Sequence, residues 1–359
     1  MAERTVPADS TVVGSQAVDL DVATLDAWIG DRLPGAGEPL HAERMGAGTG
    51  MANALFFVRR GAHEWVLRRP PPVVNAPGAS DMVREWRVLG ALEGTPVPHP
   101  QPLLLCEDVD VLGSPFLLMA RVDGFTPVGI LPSPFAGEAG AGGRRQLSLA
   151  MVDAIAHLAQ VDWRARGLVG FGKPDGFLDR QVPRWLAQLD RYRTREVPEL
   201  EFVCTWLDGH RPTDRVSGIM HGDYSPFNVM IAPDRPGRVA AVVDWDTSTI
   251  GDPRLDIGHL LARWTEPGEE FVIGVDLEER GGLPSRAELA SRYEASTGEP
   301  LDHLPYFQAL SLFKLAIILE GTYARLAADG IVDPSRNTFT EGVPRLIRYA
   351  AAFARGTRS

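Results

Sequence analysis

Two short segments of the sequence, 221–228 and 244–246, concentrate carboxylate and carboxamide side chains. Asp223 and Asn228 lie on a predicted tight turn that leads into an apolar strand, and Asp244 follows the next apolar strand along the chain. Transfer of a phosphoryl group from Mg-ATP to a hydroxyl group requires one carboxylate to accept the hydroxyl proton and oxygen ligands to hold magnesium on the phosphates. The three residues supply that set at two neighbouring strand ends, whereas each alone would be typical of a turn that bonds its own backbone.

Signatures of several other kinds of site are absent from the sequence. It contains no GxxxxGK[ST], no GxSxG and no HExxH, which excludes a P-loop and the simplest hydrolase and zinc-protease motifs. The glycine cluster 46–50 resembles a dinucleotide-binding fingerprint, but Met51 or Asn53 occupies the position of the third glycine. The two cysteines, Cys106 and Cys204, lack CxxC spacing and support neither a zinc site nor a disulfide framework.

The overall charge disfavours a nucleic-acid partner. The chain has 47 acidic and 36 basic side chains, a formal charge of -11 and no block of basic residues that would bind phosphate backbones. Neither a secretory signal nor an 18-residue uncharged apolar run is present, so we expect a cytoplasmic protein with no membrane partner. We further expect a monomer or a homodimer. Only two of the basic residues are lysines, Lys173 and Lys314.

The elements that must position these residues differ between a strand-rich first part of the chain and a mainly helical later part. The first part of the chain predicts strands, including a hairpin with its turn at 60–63, and two helices, the first with an apolar face that ends at Pro34-Gly35 and the second over 81–92. The later part predicts mainly helices around one compact group of short strands, after a Gly/Ala/Pro-rich stretch, 132–143, that predicts a mobile loop. We therefore predict an α+β fold with three segments: a flexible arm over 1–20, a small strand-rich N-lobe over 21–120 and a larger, mainly helical C-lobe over 121–359.

The motifs in the second half of the chain resemble those of a known superfamily. His221-Gly-Asp223 with Asn228, Asp244-Trp-Asp246, and Gly251-Asp-Pro253 with Asp256 are similar to the aminoglycoside phosphotransferase and choline kinase-like superfamily. The segments 65–71 and 312–325 are most similar to a branch that includes kinase-like domains fused to acyl-CoA dehydrogenases. The resemblance implies a bilobal protein-kinase-like fold, a small-molecule hydroxyl substrate, Mg²⁺, and ATP as the phosphate donor, with GTP as the alternative.

The resemblance also implies roles for individual residues of the C-lobe. Asp223 corresponds to the catalytic base, and Asn228 and Asp244 correspond to the magnesium ligands. The remaining residues support them: His221 braces the loop, Asp246 binds metal-bound water or caps the following turn, and Asp252 and Asp256 are scaffolding whose carboxylates bond backbone groups or an arginine.

The N-lobe departs from the protein-kinase pattern at one position. Arg68 occupies the strand position at which protein kinases have a lysine that pairs with the nucleotide phosphates. An arginine can replace that lysine because its guanidinium is also cationic and binds phosphate. Alternation along the strand places Val66 on the face of Arg68, toward adenine. Glu85 is predicted to orient Arg68 by an ion pair, the alternative being a solvated helix acid. The other nucleotide contacts that the resemblance implies come from a phosphate-covering loop and an adenine-binding linker: Gly48, Gly50, Asn53, Met119, Ala120 and Val122.

Two hypotheses about function remain open at the level of the sequence. The first is an active kinase whose acceptor is aminoglycoside-like or hydroxyacyl-CoA-like, and the second is a catalytically silent nucleotide-binding module. An acidic run that includes Glu266 and Glu269 would suit a cationic acceptor but is more typical of a solvated face. Large-lobe arginines such as Arg184, Arg191 and Arg325 would suit the phosphates of CoA but are more typical of an ordinary surface.

Overall fold

A computed structural model describes residues 20–45, 53–70, 81–214, 216–266, 269, 281–328 and 338–358. Contacts divide the chain into two compact units, one of 1–86 with 101–121 and a second of 87–100 with 122–359. The predicted arm, 1–20, lies outside the described residues except for its last residue. The segment 87–100, which falls within the predicted N-lobe, groups with the second unit, so the chain crosses between the units more than once.

The first unit is built on a five-stranded antiparallel sheet with strand order β1-β2-β3-β5-β4. The predicted hairpin is present, and its turn contains Gly61 at φ +58°. Strand β2 alternates buried and more exposed residues, with Ala54, Phe56 and Val58 buried and Phe57 exposed, whereas β5 is buried along most of its length. The helices and strands of residues 20–120 are α1 (Val22–Ile29), β1 (Leu40–Arg44), β2 (Ala54–Arg60), β3 (His63–Arg69), α2 (Met82–Leu92), β4 (Pro102–Cys106), α3 (Val109–Leu112) and β5 (Phe116–Ala120).

Helix α1 is shorter than its apolar pattern predicts. Its first turn is capped by Asp21, whose side chain accepts a hydrogen bond from the Thr24 backbone at 2.9 Å. The helix ends at Gly30, which adopts φ +54°, because glycine allows the chain to leave the helix there. Leu33 still packs in the core with Leu25, so the apolar periodicity predicted the burial correctly and the helix end wrongly.

The second unit consists mainly of helices with two short strand pairs. Strand β6 pairs with β9, and β7 pairs with β8, all antiparallel. Helix α9 packs against α7 and α10 through Phe307, Leu310 and Phe313, which belong to the large core of this unit. Its elements are α4 (Ala141–Ala159), α5 (Gln181–Leu189), α6 (Leu200–Gly209), β6 (Gly218–Met220), β7 (Val229–Ile231), β8 (Val239–Val242), β9 (Thr249–Gly251), α7 (Arg254–Ala262), α8 (Arg286–Thr297), α9 (Leu304–Ala328) and α10 (Thr338–Ala354). The predicted α+β class is thus confirmed.

Two segments of the second unit differ from expectation. The stretch 132–143 is tied down rather than loose, since the buried Arg144 donates to the carbonyls of Phe135 at 2.6 Å and Gly137 at 2.9 Å, and helix α4 already begins at Ala141. Helix α9 is long and apolar enough to cross a membrane by composition alone. Its packing between other helices is typical of a core helix.

Candidate active site

The segment between β6 and β7 forms a loop, residues 221–228, that we call the catalytic loop after the role predicted for Asp223. Gly222 adopts φ +85°, and a Cβ there would lie 2.5 Å from the Thr247 carbonyl oxygen, so the turn requires glycine. The buried carboxylate of Asp256, in the first turn of α7, accepts hydrogen bonds from the backbone N–H groups of His221 at 2.6 Å and Gly222 at 2.8 Å. Asp256 thereby fixes the start of the loop, which agrees with the scaffolding role predicted for it.

Asp223 projects from this loop with its carboxylate half exposed, at 49% of its side-chain surface. Asn228 Nδ2 donates to the Asp223 carbonyl at 2.9 Å and to Asp223 Oδ2 at 3.2 Å. The other carboxylate oxygen, Oδ1, lies 3.2 Å from Nε2 of His259. Burial raises the pKa of Asp223, but the hydrogen bond from His259 and the charges of Lys314 and Arg263 outweigh it and hold that pKa below its usual range.

Asn228 directly precedes β7 and Asp244 follows β8, and the antiparallel pairing of these strands brings the two residues to the same end of the pair. The N–H of Val243 donates to the Asn228 carbonyl at 2.9 Å, so Asp244 follows β8 beside the start of β7. Asp244 adopts φ +66°, a left-handed conformation that aspartate tolerates better than most residues. Asp246 is partly buried two residues further on, after Trp245, whose indole N–H donates to the Val242 carbonyl at 2.9 Å.

The donor set at this point fits magnesium better than zinc or a transition metal. Because Nδ2 of Asn228 is used by Asp223, its carbonyl oxygen Oδ1 is the atom left for a cation. Mg²⁺ is commonly held by one or two protein oxygens together with substrate phosphates, and Asn228 with Asp244 would supply such a pair. Within the described ranges there is no group of three or more His, Cys, Asp or Glu side chains that could hold a metal alone.

His221 lies fully buried behind the catalytic loop. Its Nδ1 accepts from the Asp223 N–H at 3.3 Å, and its Nε2 lies 3.0 Å from the Val243 carbonyl, so one neutral tautomer satisfies both contacts. The ring also contacts Trp245, with centroids 4.8 Å apart. These contacts link the catalytic loop to the Asp244 segment, as expected for a bracing residue.

Asp252 contacts an arginine rather than the catalytic loop. Its carboxylate binds Arg254 through two contacts of 2.9 and 2.7 Å, and Arg254 also pairs with Asp214 at 2.5 Å. The buried pair of Asp252 and Arg254 holds the start of α7, where Asp256 is located. Asp252 therefore supports the site through the position of that helix.

The residues predicted to bind nucleotide lie mostly in the first unit. Arg68 Nε lies 3.0 Å from Glu85 Oε2, and both side chains are buried, so the expected ion pair is present and Glu85 is not a solvated acid. Val66 pairs with Met119 across β3 and β5. Their contacts with nucleotide stay predictions.

One backbone group of the predicted adenine-binding linker is already engaged within the sheet. The N–H of Ala120, at the end of β5, donates to the Gln101 carbonyl at 2.9 Å, and the contacts of the linker with adenine stay predictions. Val122 belongs to the second unit, and Asn53 immediately precedes β2. Gly48 and Gly50 lie outside the described residues.

Sequence reasoning missed three basic side chains around Asp223. His259 and Arg263 lie on α7 or just after it, with Arg263 3.0 Å from Nε2 of His259, and Lys314 on α9 donates to the Gly222 carbonyl. Burial lowers the pKa of Lys314, while Asp223 and Asp256 oppose that effect. Two signals were present in the sequence: Lys314 is a rare lysine inside an apolar run, and His259 lies one helical turn after Asp256.

The described members of the acidic run are engaged in local contacts. Glu269 binds Arg286 at 2.7 Å and Arg358 at 2.8 Å. Glu266 accepts from the backbone N–H of Arg286 at 2.6 Å. These two acids therefore stabilise the fold locally, and the other members of the run lie outside the described residues.

Comparison with known proteins identifies relatives for most of the chain. A model of the family described as "Phosphotransferase enzyme family" matches residues 45–290. Acyl-CoA dehydrogenase family member 11 of Rattus norvegicus is 32% identical over 317 residues, which are 85% of this chain and 39% of that protein. This chain thus spans about two fifths of the length of that relative.

Solved structures share the fold. A Ralstonia eutropha protein assigned to the aminoglycoside phosphotransferases is 30% identical, with a TM-score of 0.77 over 94% of this chain and 99% of that one. A thermostable mutant of an aminoglycoside phosphotransferase in ternary complex with ADP and hygromycin B has a TM-score of 0.56 at 14% identity, covering 89% of this chain and 95% of the other. The predicted kinase-like fold and superfamily are confirmed.

Proposed function

Because the chain belongs to the phosphotransferase enzyme family, we propose that it transfers the γ-phosphate of ATP to a hydroxyl group of a small molecule in the presence of Mg²⁺. It is an enzyme of the small-molecule kinase class. One observation carries the proposal: a half-exposed carboxylate, Asp223, is oriented by Asn228 on a loop that Asp256 fixes from behind. The relative with the same fold that holds ADP supports a nucleotide as donor.

In the proposed reaction the acceptor oxygen forms a bond to the γ-phosphorus as the bond from that phosphorus to the bridging oxygen breaks. ADP leaves with the bonding electron pair, and the hydroxyl proton passes to the Asp223 carboxylate. The lowered pKa of Asp223 makes it a weak base. A weak base is sufficient because the transition state of phosphoryl transfer is loose, so the proton moves late and the carboxylate mainly orients the hydroxyl.

Asn228 Oδ1 and the Asp244 carboxylate would hold Mg²⁺. The ion would supply positive charge that neutralises the phosphate oxygens as the bond to ADP breaks. His221 keeps these two ligands in register with Asp223, because it contacts the backbone of both segments. In the first unit, Arg68, oriented by Glu85, would contact the phosphates.

Of the two acceptor classes, the site supports a hydroxyacyl thioester such as a hydroxyacyl-CoA over an aminoglycoside-like polycation. Lys314 and Arg263 place positive charge beside Asp223, which attracts an anionic acceptor and repels a cationic one. Glu266 and Glu269 are used by arginines. Similarity to acyl-CoA dehydrogenase family members adds support, since a hydroxyacyl thioester is chemically close to their named substrates.

A phosphate-transfer assay tests the proposal. The wild-type enzyme is incubated with radiolabelled ATP, Mg²⁺ and either hydroxyacyl-CoAs or aminoglycosides, and we expect labelled product from the thioesters. Asp223→Asn should lose most of this activity and retain nucleotide binding. The matched control is Asp234→Asn, at an aspartate of which 70% of the side chain is exposed between β7 and β8. Transfer by Asp223→Asn at the wild-type rate would show that the assigned base is wrong.

A further inference from the structure

A chain of three side chains leads from the interior of the second unit to Asp223. Ser311 Oγ lies 2.6 Å from His259 Nδ1, and His259 Nε2 lies 3.2 Å from Asp223 Oδ1. Exposure rises along the chain: Ser311 is 1% exposed, His259 5%, and the Asp223 side chain 49%. The serine is therefore the interior end and the carboxylate is the end that meets solvent.

The contacts of His259 constrain where its ring proton lies. Burial lowers the pKa of His259 to about 4, so the ring is neutral near pH 7 and carries one N–H. Nε2 faces two groups with opposite requirements: Asp223 Oδ1, at 3.2 Å, can only accept, and Arg263 Nη1, at 3.0 Å, can only donate. The carboxylate decides between them, because a bare Nε2 would set a lone pair against its negative charge, whereas an Nε2–H donates to it and the guanidinium has other N–H donors to use. With the proton on Nε2, Nδ1 must accept, and the Ser311 hydroxyl is the donor within reach.

We propose that Ser311 and His259 are positioning residues of the phosphotransfer reaction, in which the Ser311 hydroxyl holds His259 as the Nε2–H tautomer and that N–H orients Asp223. The proposal rests on the proposed function, because it assumes that Asp223 receives the acceptor hydroxyl. Asn228 holds Oδ2 and His259 holds Oδ1, so both oxygens of the carboxylate are fixed. A carboxylate fixed at both oxygens presents its remaining lone pairs to the acceptor in one orientation.

The serine in this arrangement does not act as a nucleophile. Serine, histidine and aspartate also occur together in hydrolases, where the serine is the residue that meets substrate. Here Ser311 is buried and Asp223 is exposed, so the order of exposure is reversed. The hydrogen bonds serve to orient the carboxylate.

Helix α9 contributes a second contact to the same segment. Ser311 and Lys314 are three residues apart on this helix and so lie on one face. Lys314 donates to the Gly222 carbonyl, and Ser311 acts on the adjacent residue, Asp223, through His259. The position of α9 therefore sets both the backbone before Asp223 and the direction of its carboxylate.

The tautomer of His259 is measured directly by NMR. The protein is labelled with ¹⁵N at its 8 histidines, and long-range ¹H–¹⁵N spectra are recorded near pH 7. The resonance of His259 is assigned by its loss in His259→Gln. We expect a protonated Nε2 and an unprotonated Nδ1. A protonated Nδ1 would overturn the proposal, and this readout does not depend on whether Asp223 is the base.

Kinetics of variants test the positioning role. Ser311→Ala should lower kcat about tenfold with KM for ATP and acceptor within twofold, because an orienting contact is lost rather than a binding group. His259→Leu should lower kcat by about a hundredfold, and His259→Gln, whose amide can still donate to Asp223, should recover much of the loss. Ser148→Ala is the matched control, since Ser148 is also 1% exposed and donates to the Arg144 carbonyl away from this site.

The outcomes separate this proposal from the proposed function. If Asp223→Asn retains full activity, the assignment of the base fails whatever the state of His259. If Asp223→Asn is inactive and His259→Leu, shown to be folded by circular dichroism, keeps the wild-type kcat, the positioning role is wrong. Equal losses in Ser311→Ala and Ser148→Ala would also contradict it, because they would reflect a general effect of removing a buried hydroxyl.

Discussion

Replacement of Asp256 by asparagine measures how strongly the carboxylate on α7 holds the catalytic loop. Its two oxygens accept backbone hydrogen bonds of 2.6 and 2.8 Å at a side chain that is 1% exposed. The amide keeps one acceptor and turns an NH₂ group toward the other backbone N–H. The loss of one charge-assisted bond and the unsatisfied donor together cost about 3 kcal/mol. Burial raises the pKa of Asp256, so asparagine recovers some desolvation energy, and we expect a net loss of about 2 kcal/mol.

Urea unfolding provides the assay. The midpoint should fall for Asp256→Asn while the slope with denaturant stays unchanged, which would indicate a loss of stability rather than a change in the unfolded state. The kcat should fall as well, because the backbone N–H groups of His221 and Gly222 are held less firmly and Asp223 follows them directly. The surface variant Asp234→Asn should behave like the wild type. If Asp256→Asn were no less stable than this control, the view that Asp256 anchors the loop would be refuted.

Three further changes test other contacts of the fold. Glu85→Gln removes the charged partner of the buried Arg68 and should destabilise the protein by about 3 kcal/mol in urea unfolding. Gly258→Ala places a Cβ 2.6 Å from Cβ of Phe307 at the contact of α7 with α9 and should lower stability by about 2 kcal/mol. Hydrogen bonding from arginine and from a helix N-terminus lowers the pKa of Glu288 from 4.5 to about 2. Its charge therefore stabilises the fold fully above about pH 4.5, and the advantage of the wild type over Glu288→Gln in urea midpoint should vanish as the pH falls toward 2.

Matched controls make these results decisive. Gly90 lies in α2, and a Cβ added there would meet no atom of the described chain within 4 Å, so Gly90→Ala should stabilise by about 0.7 kcal/mol through helix propensity. A loss of stability in Gly90→Ala equal to that of Gly258→Ala would argue against steric overlap as the cause. For Glu85→Gln the control is Glu64→Gln, which removes an exposed pair with Arg121. A difference in midpoint between the wild type and Glu288→Gln that does not narrow between pH 4.5 and pH 2 would contradict the assigned pKa.

Features encoded by neighbouring residues were predictable from the sequence, and features set by packing were not. The hairpin of β2 and β3 follows from alternation and a glycine turn, and the Asp223 to Asn228 spacing is local to one loop. Strand β9, Thr249–Gly251, was missed because only one of its three residues, Ile250, is apolar, whereas the equally short β7 is an apolar run. The start of α4 was missed because glycine and alanine composition favours a loop prediction over a helix anchored by Arg144.

The contacts around Asp223 show the same limit. His259 and Ser311 are 52 residues apart in sequence, and their contact depends on how α7 packs on α9. No local pattern links them, so the orientation of the carboxylate emerges only from the tertiary structure. The end of β5 is likewise set by a distant contact, the hydrogen bond from the Ala120 N–H to the Gln101 carbonyl.

The arginine on β3 has a consequence for chemical detection of this enzyme. Acyl-phosphate derivatives of nucleotides label kinases by transferring an acyl group to a nearby amine, which forms a stable amide. The guanidinium of Arg68 remains protonated and delocalised and does not undergo that acylation. The chain has two lysines, at 173 and 314, and neither lies on the strand that carries Arg68. Surveys that rely on an amine at that strand would therefore pass over this enzyme.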